Sequence, residues 1–190
     1  VQSALLETRQ ERQVTIGGQS LPVPRPFLVL ATQNPLEQEG TYPLPEAQAD
    51  RFLLKVHVDY PTREEERRML DLVTNKSPNE ENSRGPVASL QEVERLRETC
   101  RSIYVDDKVR EYIVNLVLAT RHPEQFHLSC KSSIELGASP RASIGLFLAA
   151  RAEALLNGEH FVTPQTVKDV APDVLRHRIM PTYEAEAQGI

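Results

Sequence analysis

The pattern of apolar and polar positions divides the chain into a first third that favours strands and a remainder that favours helices. Residues 27–32 are almost uniformly apolar, which predicts a strand buried on both faces, as in a parallel sheet covered by helices. Residues 53–58 alternate between apolar and polar side chains, which predicts a second strand. Gly17-Gly18 can adopt the positive φ values of a tight turn, so residues 14–24 are predicted to form a β-hairpin.

Helical spacing of apolar residues dominates the chain after residue 60. A Ser, Thr or Asp before each periodic stretch can accept a hydrogen bond from the free backbone N–H groups of a new helix. Helix starts are therefore predicted at Thr62, Ser89, Asp106, Ser139 and Thr163. Asn157-Gly158 is predicted to end the longest helix, and Pro172 is predicted to break or kink the last one.

These patterns predict an α/β part followed by an all-α part. Residues 1–60 are predicted to form the end of an α/β domain, with a short helix at residues 45–52. Residues 61–84 are predicted to be a connecting helix and a polar loop, the loop covering residues 75–87. Residues 85–190 are predicted to form a helical domain of about four helices.

Two long strings identify the family that this chain resembles. They are NPLEQEGTYPLPEAQADRFLLKVHVDYPTREEE at residues 34–66 and ASPRASIGLFLAARAEALLNGEHFVTPQTVKDVAPDVLRHRI at residues 138–179. Together with QSALLE and QERQVTIGG near the start, they closely resemble the MoxR branch of the AAA+ ATPases. The resemblance implies the C-terminal strands of a P-loop ATPase core, followed by a helical lid.

The motifs that hold most of the nucleotide in such enzymes are not found in this sequence. It contains no G-x-x-x-x-G-K-[ST] loop to cradle phosphates, and no apolar run that ends in an Asp-Glu pair able to hold Mg²⁺. The chain opens at Val1 in what reads as a helix already under way, and QSALLE lies just downstream of the Walker B strand in the family. We therefore expect the C-terminal part of a larger ATPase that binds ATP and Mg²⁺, and we expect this part alone to be inactive.

Asn34 follows the predicted buried strand. Ligands bind beyond the carboxyl ends of strands in open parallel sheets, so a polar side chain at this place is expected to face a ligand. An Asn-Pro pair also starts ordinary turns. The resemblance identifies Asn34 as the sensor-one residue, whose neutral amide would hydrogen-bond the γ-phosphate of ATP and orient the attacking water.

Arg51, in Asp50-Arg51-Phe52, resembles the family's arginine finger. A guanidinium offers forked donors and a permanent charge, which suit the negative charge on a transferring phosphoryl group. The resemblance implies that Arg51 acts on the nucleotide of a neighbouring subunit, and hence that the protein forms a homo-oligomeric ring. The alternative is a local ion pair with Asp50 or Glu46.

Arg141, near the start of the long helix, resembles the family's sensor-two arginine. Helix N-termini already attract anions through their free N–H groups and the helix dipole. An arginine at this place would therefore bind a phosphate delivered from another domain. The alternative is a solvent-exposed arginine on a long helix.

Composition excludes some classes of partner. A net charge of −5 disfavours general attraction to nucleic acid or anionic lipid. No window approaches the ~20 apolar residues of a membrane helix, so no membrane span is expected. The Arg176-His177-Arg178 cluster is too short to reverse the acidic balance, and it is predicted to be a helix terminus that complements the helix dipole.

The cysteines and histidines give no strong metal motif. Cys100 and Cys130 do not suggest a disulfide framework, which favours a reducing cytoplasm. A zinc site built from these cysteines with His122 and His127 is a weak alternative because no Cys-x-x-Cys anchors it, so no metal site is predicted in this chain. Residues 122–137 form a longer connection than the resemblance predicts before the main lid helix.

For the intact protein, the resemblance implies ATP hydrolysis in a ring, with a hexamer expected. The work would be chaperone-like, remodelling or maturing partner proteins, often ones with a von Willebrand A-like domain. One alternative is a metal-insertion motor, because magnesium-chelatase subunits share this architecture. Another is a DNA-acting AAA+ motor, which the acidic balance disfavours even though a hairpin such as residues 14–24 could act on DNA or on protein.

Overall fold

The computed structural model describes residues 13–16, 19–24, 26–33, 44–75 and 85–189. Its α-helices are α1 (Glu46–Ala49), α2 (Arg63–Asn75), α3 (Leu90–Ser102), α4 (Asp107–Arg121), α5 (Pro140–Leu156), α6 (Pro164–Leu175) and α7 (Tyr183–Ala187). Its strands are β1 (Gln13–Ile16), β2 (Gln19–Pro22), β3 (Ile134–Leu136) and β4 (Met180–Pro181), and short 3-10 helices lie at Pro123–Phe126 and Cys130–Ser133. The predicted helix at the start of the chain, Asn34 and most of the predicted loop at 75–87 lie outside the described residues.

The predicted hairpin is confirmed. β1 and β2 pair antiparallel with Val14 opposite Leu21 and Ile16 opposite Gln19, so only residues 17–18 separate the strands. A two-residue connection is the usual form of a tight hairpin. The hairpin therefore follows from local sequence alone.

The predicted helix starts are also confirmed. Ser89 accepts from the backbone N–H of Glu92 while the Glu92 carboxylate accepts from the backbone N–H of Ser89, which completes a capping box. Thr62 and Glu65 exchange the same pair of bonds before α2. Side chains at Asp106, Ser139 and Thr163 accept the corresponding bonds before α4, α5 and α6. Each of these caps satisfies N–H groups that the helix itself cannot.

The core lies among α4, α5 and α6. Leu146 on α5 and Val167 and Val174 on α6 are fully buried, and Val117 of α4 packs with them. Gly145 lets α5 approach α6 closely, because a Cβ at this position would lie 3.0 Å from Val174 Cγ1. This close packing of the three helices fixes the start of α5 relative to the end of α6.

The helical part also contains a small sheet, which the all-α prediction missed. β3 pairs antiparallel with β4, and Thr182 adds hydrogen bonds of 3.0 Å to the carbonyls of Ser132 and Ser133. Thr182 then caps α7, a helix that was not predicted and that buries Ala185. The long connection at 122–137 thus provides the surface to which the end of the chain docks.

The predicted strands at 27–32 and 53–58 are absent from the structure, and these predictions are wrong. Both segments are irregular, with Leu30 and Val58 each 86% exposed. A strand needs a neighbouring strand for its backbone hydrogen bonds, and the described residues provide none beside either segment. The apolar side chains that led to both strand predictions are mostly exposed to solvent in this structure.

Pro172 does not break the last long helix. It lies inside α6, which continues to Leu175. Beyond it, the backbone N–H and Nε of Arg176 both donate to the Pro172 carbonyl at 3.0 Å. The prediction of a break is therefore wrong, and His177 and Arg178, which follow α6, become part of the candidate site.

Candidate functional site

The segment that carries Arg51 lies along the end of α6. α1 ends at Ala49, and residues 50–55 then run past the last turn of α6, where the Lys55 N–H donates to the Asp173 carbonyl at 2.8 Å. The contact joins parts of the chain that are more than a hundred residues apart in sequence. It places Arg51 against the lid rather than on an isolated loop.

Arg178 is the residue that secures this segment. Its side chain is only 3% exposed, and its Nε donates to Asp50 Oδ1 at 3.0 Å. Its Nη groups donate to the carbonyls of Asp50 (3.0 Å), Phe52, Leu53 (3.2 Å) and Val174. All of the five N–H donors that a guanidinium offers therefore have acceptors.

The Arg176-His177-Arg178 cluster lies at the end of α6, as predicted, and both arginines donate to carbonyls of its last turn. The burial of Arg178 was not predicted. Arg178 is not an exposed charge at a helix end but a buried cation that spans two parts of the chain. A sequence signal for its burial existed, because Arg178 follows Val167 and Val174 at helical spacing and both of those residues are in the core. Arg176 pairs with Asp173 one turn earlier.

The Asp50 carboxylate accepts hydrogen bonds from side chains just beyond the end of α6 and at the start of α5. Besides Arg178, it accepts from the Ser139 hydroxyl at 2.9 and 3.1 Å, and Arg141 Nη1 lies 3.4 Å from Oδ2. Ser139 is also the N-cap of α5. Three such partners fix the orientation of the Asp50 carboxylate. Asp50 thus connects Arg141, the sensor-two candidate, to the segment that carries Arg51, the finger candidate.

Arg51 does not form the local ion pair that was its alternative interpretation. Asp50 is engaged by Arg141 and Arg178, and none of the ion pairs within the described ranges includes Arg51. The Arg51 Nε is shielded from solvent and has no hydrogen-bond partner among the residues that the structure describes. A buried donor without an acceptor is unfavourable, so we expect the Nε partner to lie outside the described residues.

Arg141 lies in the first turn of α5 with half of its side chain exposed. It is therefore accessible at a helix N-terminus, where free N–H groups already favour an anion. The structure brings Arg141 to the carboxylate of Asp50, the residue that precedes Arg51, while Asn34 lies outside the described residues.

His177 also contacts the segment that carries Arg51. Its Nε2 lies 3.0 Å from the Phe52 carbonyl, which can only accept, so the neutral ring carries its proton on Nε2. Burial lowers the pKa of His177, and the nearby Arg178 and Lys55 charges act in the same direction. The Nδ1 atom is buried without a partner among the described residues, so a second proton would be unfavourable there.

Other kinds of site receive no support from the described residues. Among them, no group of three or more His, Cys, Asp or Glu side chains could hold a metal ion. Cys100 and Cys130 are both free. None of the helices in the described ranges is long and apolar enough to cross a membrane.

Two family models match separate parts of the chain. A model of the ATPase family associated with various cellular activities (AAA) matches residues 1–54, and an AAA lid domain model matches residues 127–190. The chain is 50% identical to Chaperone MoxR1 of Mycobacterium tuberculosis and 44% identical to the protein YeaC of Bacillus subtilis, in both cases over its whole length. It covers 50% and 56% of those proteins, so the chain spans about half the length of the curated relatives that it matches.

A solved structure supports the same assignment. The crystal structure of a protein from Cytophaga hutchinsonii, assigned as an ATPase, superposes with a TM-score of 0.92 at 47% sequence identity. The match covers 100% of this chain and 57% of that one. With a partial AAA+ core, a mostly helical lid and these relatives, the chain belongs to the MoxR family of AAA+ ATPases.

Proposed function

We propose that the intact protein is a MoxR-type, ATP-hydrolysing chaperone that acts as a homo-oligomeric ring, a hexamer, in the cytoplasm. The observation that carries this proposal is the meeting of Arg141 and the Arg51 segment at one carboxylate, Asp50. A ring ATPase needs one cation for its own nucleotide and another for its neighbour's. Arg141, which contacts Asp50, and Arg51, which follows Asp50 in the chain, suit those two tasks.

In this proposal Arg141 binds a phosphate of the nucleotide in its own subunit. The exposed guanidinium at the start of α5 fits an anion, and closure of the lid would bring it to the nucleotide. The bond that is hydrolysed would be the one to the γ-phosphate of ATP, which would be bound together with Mg²⁺. Asn34 would orient the water for that step, and Arg51 would stabilise the transition state in the adjacent subunit.

The division of roles can be tested in the intact protein with Arg51→Ala and Arg141→Ala. Loss of a finger typically reduces hydrolysis by ~10³–10⁵-fold, and Arg51→Ala should do so while nucleotide affinity stays nearly unchanged. Arg141→Ala should weaken nucleotide affinity as well as turnover. Affinity and steady-state hydrolysis are measured separately, with Arg176→Ala as the control because Arg176 is a lid arginine that pairs only within α6 and its end. Equal loss of affinity in both variants would contradict the proposal.

Residues 1–190 by themselves should not hydrolyse ATP, because the sequence contains neither the phosphate-cradling loop nor the Mg²⁺-binding acidic pair. The test is a steady-state phosphate-release assay on the purified chain. Turnover that Asn34→Ala abolishes would overturn this expectation.

The client of the ring is proposed to be a partner protein, including one with a von Willebrand A-like domain. The chain's acidic balance agrees with a protein client better than with DNA. Co-purification of the intact protein with a von Willebrand A-like protein encoded beside it, in a nucleotide-dependent manner, would support the proposal. Stimulation of hydrolysis by DNA, without an effect of such a partner, would favour a DNA-acting motor instead.

A further inference from the structure

The Arg178 side chain bonds backbone carbonyls both before and after Arg51, the proposed finger. Its acceptors include the carbonyl of Asp50, immediately before Arg51, and the carbonyls of Phe52 and Leu53, immediately after it. It also holds the Asp50 side chain at 3.0 Å. The Asp50 carbonyl belongs to the peptide group before Arg51, and the peptide group after Arg51 is held by the Phe52 N–H, which donates to the Ala49 carbonyl at 2.9 Å. With both peptide groups held, the direction of the Arg51 Cα–Cβ bond is fixed as well.

The burial of the Arg178 cation restricts the conformation of residues 50–53. A guanidinium removed from water is strongly unfavourable unless each of its donors has an acceptor. Four of its five acceptors belong to residues 50–53, and Val174 provides the fifth. Displacing the finger segment would leave those donors unpaired, so the lid favours one conformation of residues 50–53.

The contact also joins the finger to the two helices that form the lid's core. Arg178 follows the end of α6, and its carboxylate partner Asp50 is held in turn by Ser139 at the start of α5. α5 and α6 pack closely through Gly145 and Val174. Any shift of the lid therefore moves residues 50–53 with it.

We propose that Arg178 is a positioning residue that ties the Arg51 finger to the lid, so that the state of the lid in one subunit sets catalysis in the neighbouring subunit. This inference rests on the proposed function, in which Arg51 acts in trans. Arg178 itself touches no nucleotide. Its contribution to hydrolysis is made through the orientation of Arg51.

The first test replaces Arg178 in the intact protein by Lys, which keeps the charge but cannot span the four acceptors of residues 50–53. Misplacing a reacting group by about 1 Å costs ~10²-fold in rate, so kcat should fall by about that factor while KM and ring mass stay near wild type. Arg178→Gln, which avoids burying an unsatisfied charge, provides a second variant if the Lys variant fails to assemble. Arg176→Ala is the matched control and should retain wild-type turnover, since the Arg176 side chain bonds Asp173 and the Pro172 carbonyl.

The second test separates a finger defect from a structural one by mixing subunits. Asn34→Ala subunits are inactive in their own sites but present an intact finger to their neighbours. Rings mixed from Asn34→Ala and Arg178→Lys subunits should regain turnover well above the sum of the two separate rings, because the lost function is supplied in trans. A structural defect or a nucleotide-binding defect in the Arg178→Lys subunit would not be rescued.

Rings mixed from Asn34→Ala and Arg51→Ala subunits calibrate the result. Rescue of Arg51→Ala without rescue of Arg178→Lys overturns the positioning role alone and leaves the trans finger standing. Rescue of neither overturns the trans finger, and the positioning role falls with it. Rescue of both, with KM unchanged, is the expected result.

Discussion

Leu146 and Leu30 are the same side chain in two different surroundings. Leu146 lies on α5 between α4 and α6 and is completely buried, whereas Leu30 lies in an irregular segment and is 86% exposed. The helices around Leu146 satisfy their own backbone hydrogen bonds before they pack. Residues 26–33 have no neighbouring strand in the described part of the chain, so their backbone gains nothing from extension.

The comparison extends to whole regions. The helical block, α4 to α6, buries a contiguous set of apolar side chains, while residues 53–60 expose Val56, Val58 and Tyr60 at 62%, 86% and 86%. Helices that pack on one another make a core from a single stretch of sequence, whereas a parallel sheet needs strands from distant stretches. We therefore expect the two regions to differ in how independently they fold.

The largest expected difference is in resistance to protease. Chymotrypsin should cut residues 1–190 first after exposed Phe27, Leu28 or Leu30, and should leave a resistant product near residues 85–190. Cleavage within the block requires unfolding, which costs roughly 5–15 kcal/mol in a typical domain, while exposed irregular segments need little opening. Mass spectrometry of the limit digest gives the answer. Protection of residues 1–60 with digestion of the block would refute the comparison.

The next difference is the cost of removing a leucine. Leu146→Ala should lower the free energy of unfolding by ~2–5 kcal/mol, because it leaves a cavity among packed helices. Leu148→Ala is the matched control, since Leu148 lies on the same helix with 46% of its surface exposed. Leu148→Ala and Leu30→Ala should each change stability by less than about 1 kcal/mol. Urea unfolding followed by helical circular dichroism measures all three variants, and a Leu30→Ala loss as large as that of Leu146→Ala would contradict the assignment.

Local contacts were the part of the fold that sequence could predict. The capping side chains bond backbone groups two or three residues away, as Asp106 does with Lys108 and Ser89 with Glu92, so composition within one turn decides them. The hairpin is equally local, with its strands separated by only two residues. The predicted strands failed because their burial depends on residues that are distant in sequence or outside the described ranges.

The candidate site shows the same division. Asp50 and Arg178 are 128 residues apart, and no local pattern connects them. The position of Arg178 four residues after the buried Val174 is consistent with a core-facing side chain, but the sequence analysis predicted only a helix terminus there. Charged residues are seldom buried without partners, and the partners of Arg178 are distant in sequence. The pairing of β3 with β4 was missed for the same reason, since Ile134 and Pro181 meet only after the helices between them pack.

α3 is a regular helix, like those of the block, but it has no buried side chains. A smaller effect on stability is therefore expected from removing its N-terminal cap. None of its side chains is buried, so its stability depends more on the Ser89–Glu92 capping box than on packing. Ser89→Ala should destabilise α3 by ~1 kcal/mol, seen as faster amide hydrogen exchange in residues 90–102 and little change in α5. Ser89→Thr keeps the cap and serves as the control. Equal loss of protection in α5 would show that α3 belongs energetically to the block.

The smallest prediction concerns the contact between the block and the finger segment. Because the pKa of His177 is lower in the folded protein than its ordinary value of about 6.5, the folded state prefers the neutral ring. Above pH 6.5 neither state binds the proton and the stabilisation is fully present; as pH falls further, the unfolded state takes up a proton first and stability is lost. The stability advantage of the wild type over His177→Gln should therefore shrink between pH 7.5 and pH 5.5.

Thermal melts of both proteins across that range measure the effect, and His160→Gln provides the control because His160 is exposed and does not contact residues 50–55. The charged groups that face His177 are Arg178, Lys55 and Asp50; the first two disfavour its protonation and the last opposes them. The Phe52 carbonyl would still accept from Nε2 in the charged ring, so the contact weakens rather than breaks. A wild-type advantage that grows as the pH falls would show that His177 is charged in the fold, and that the lid holds the finger segment by a different balance of charges.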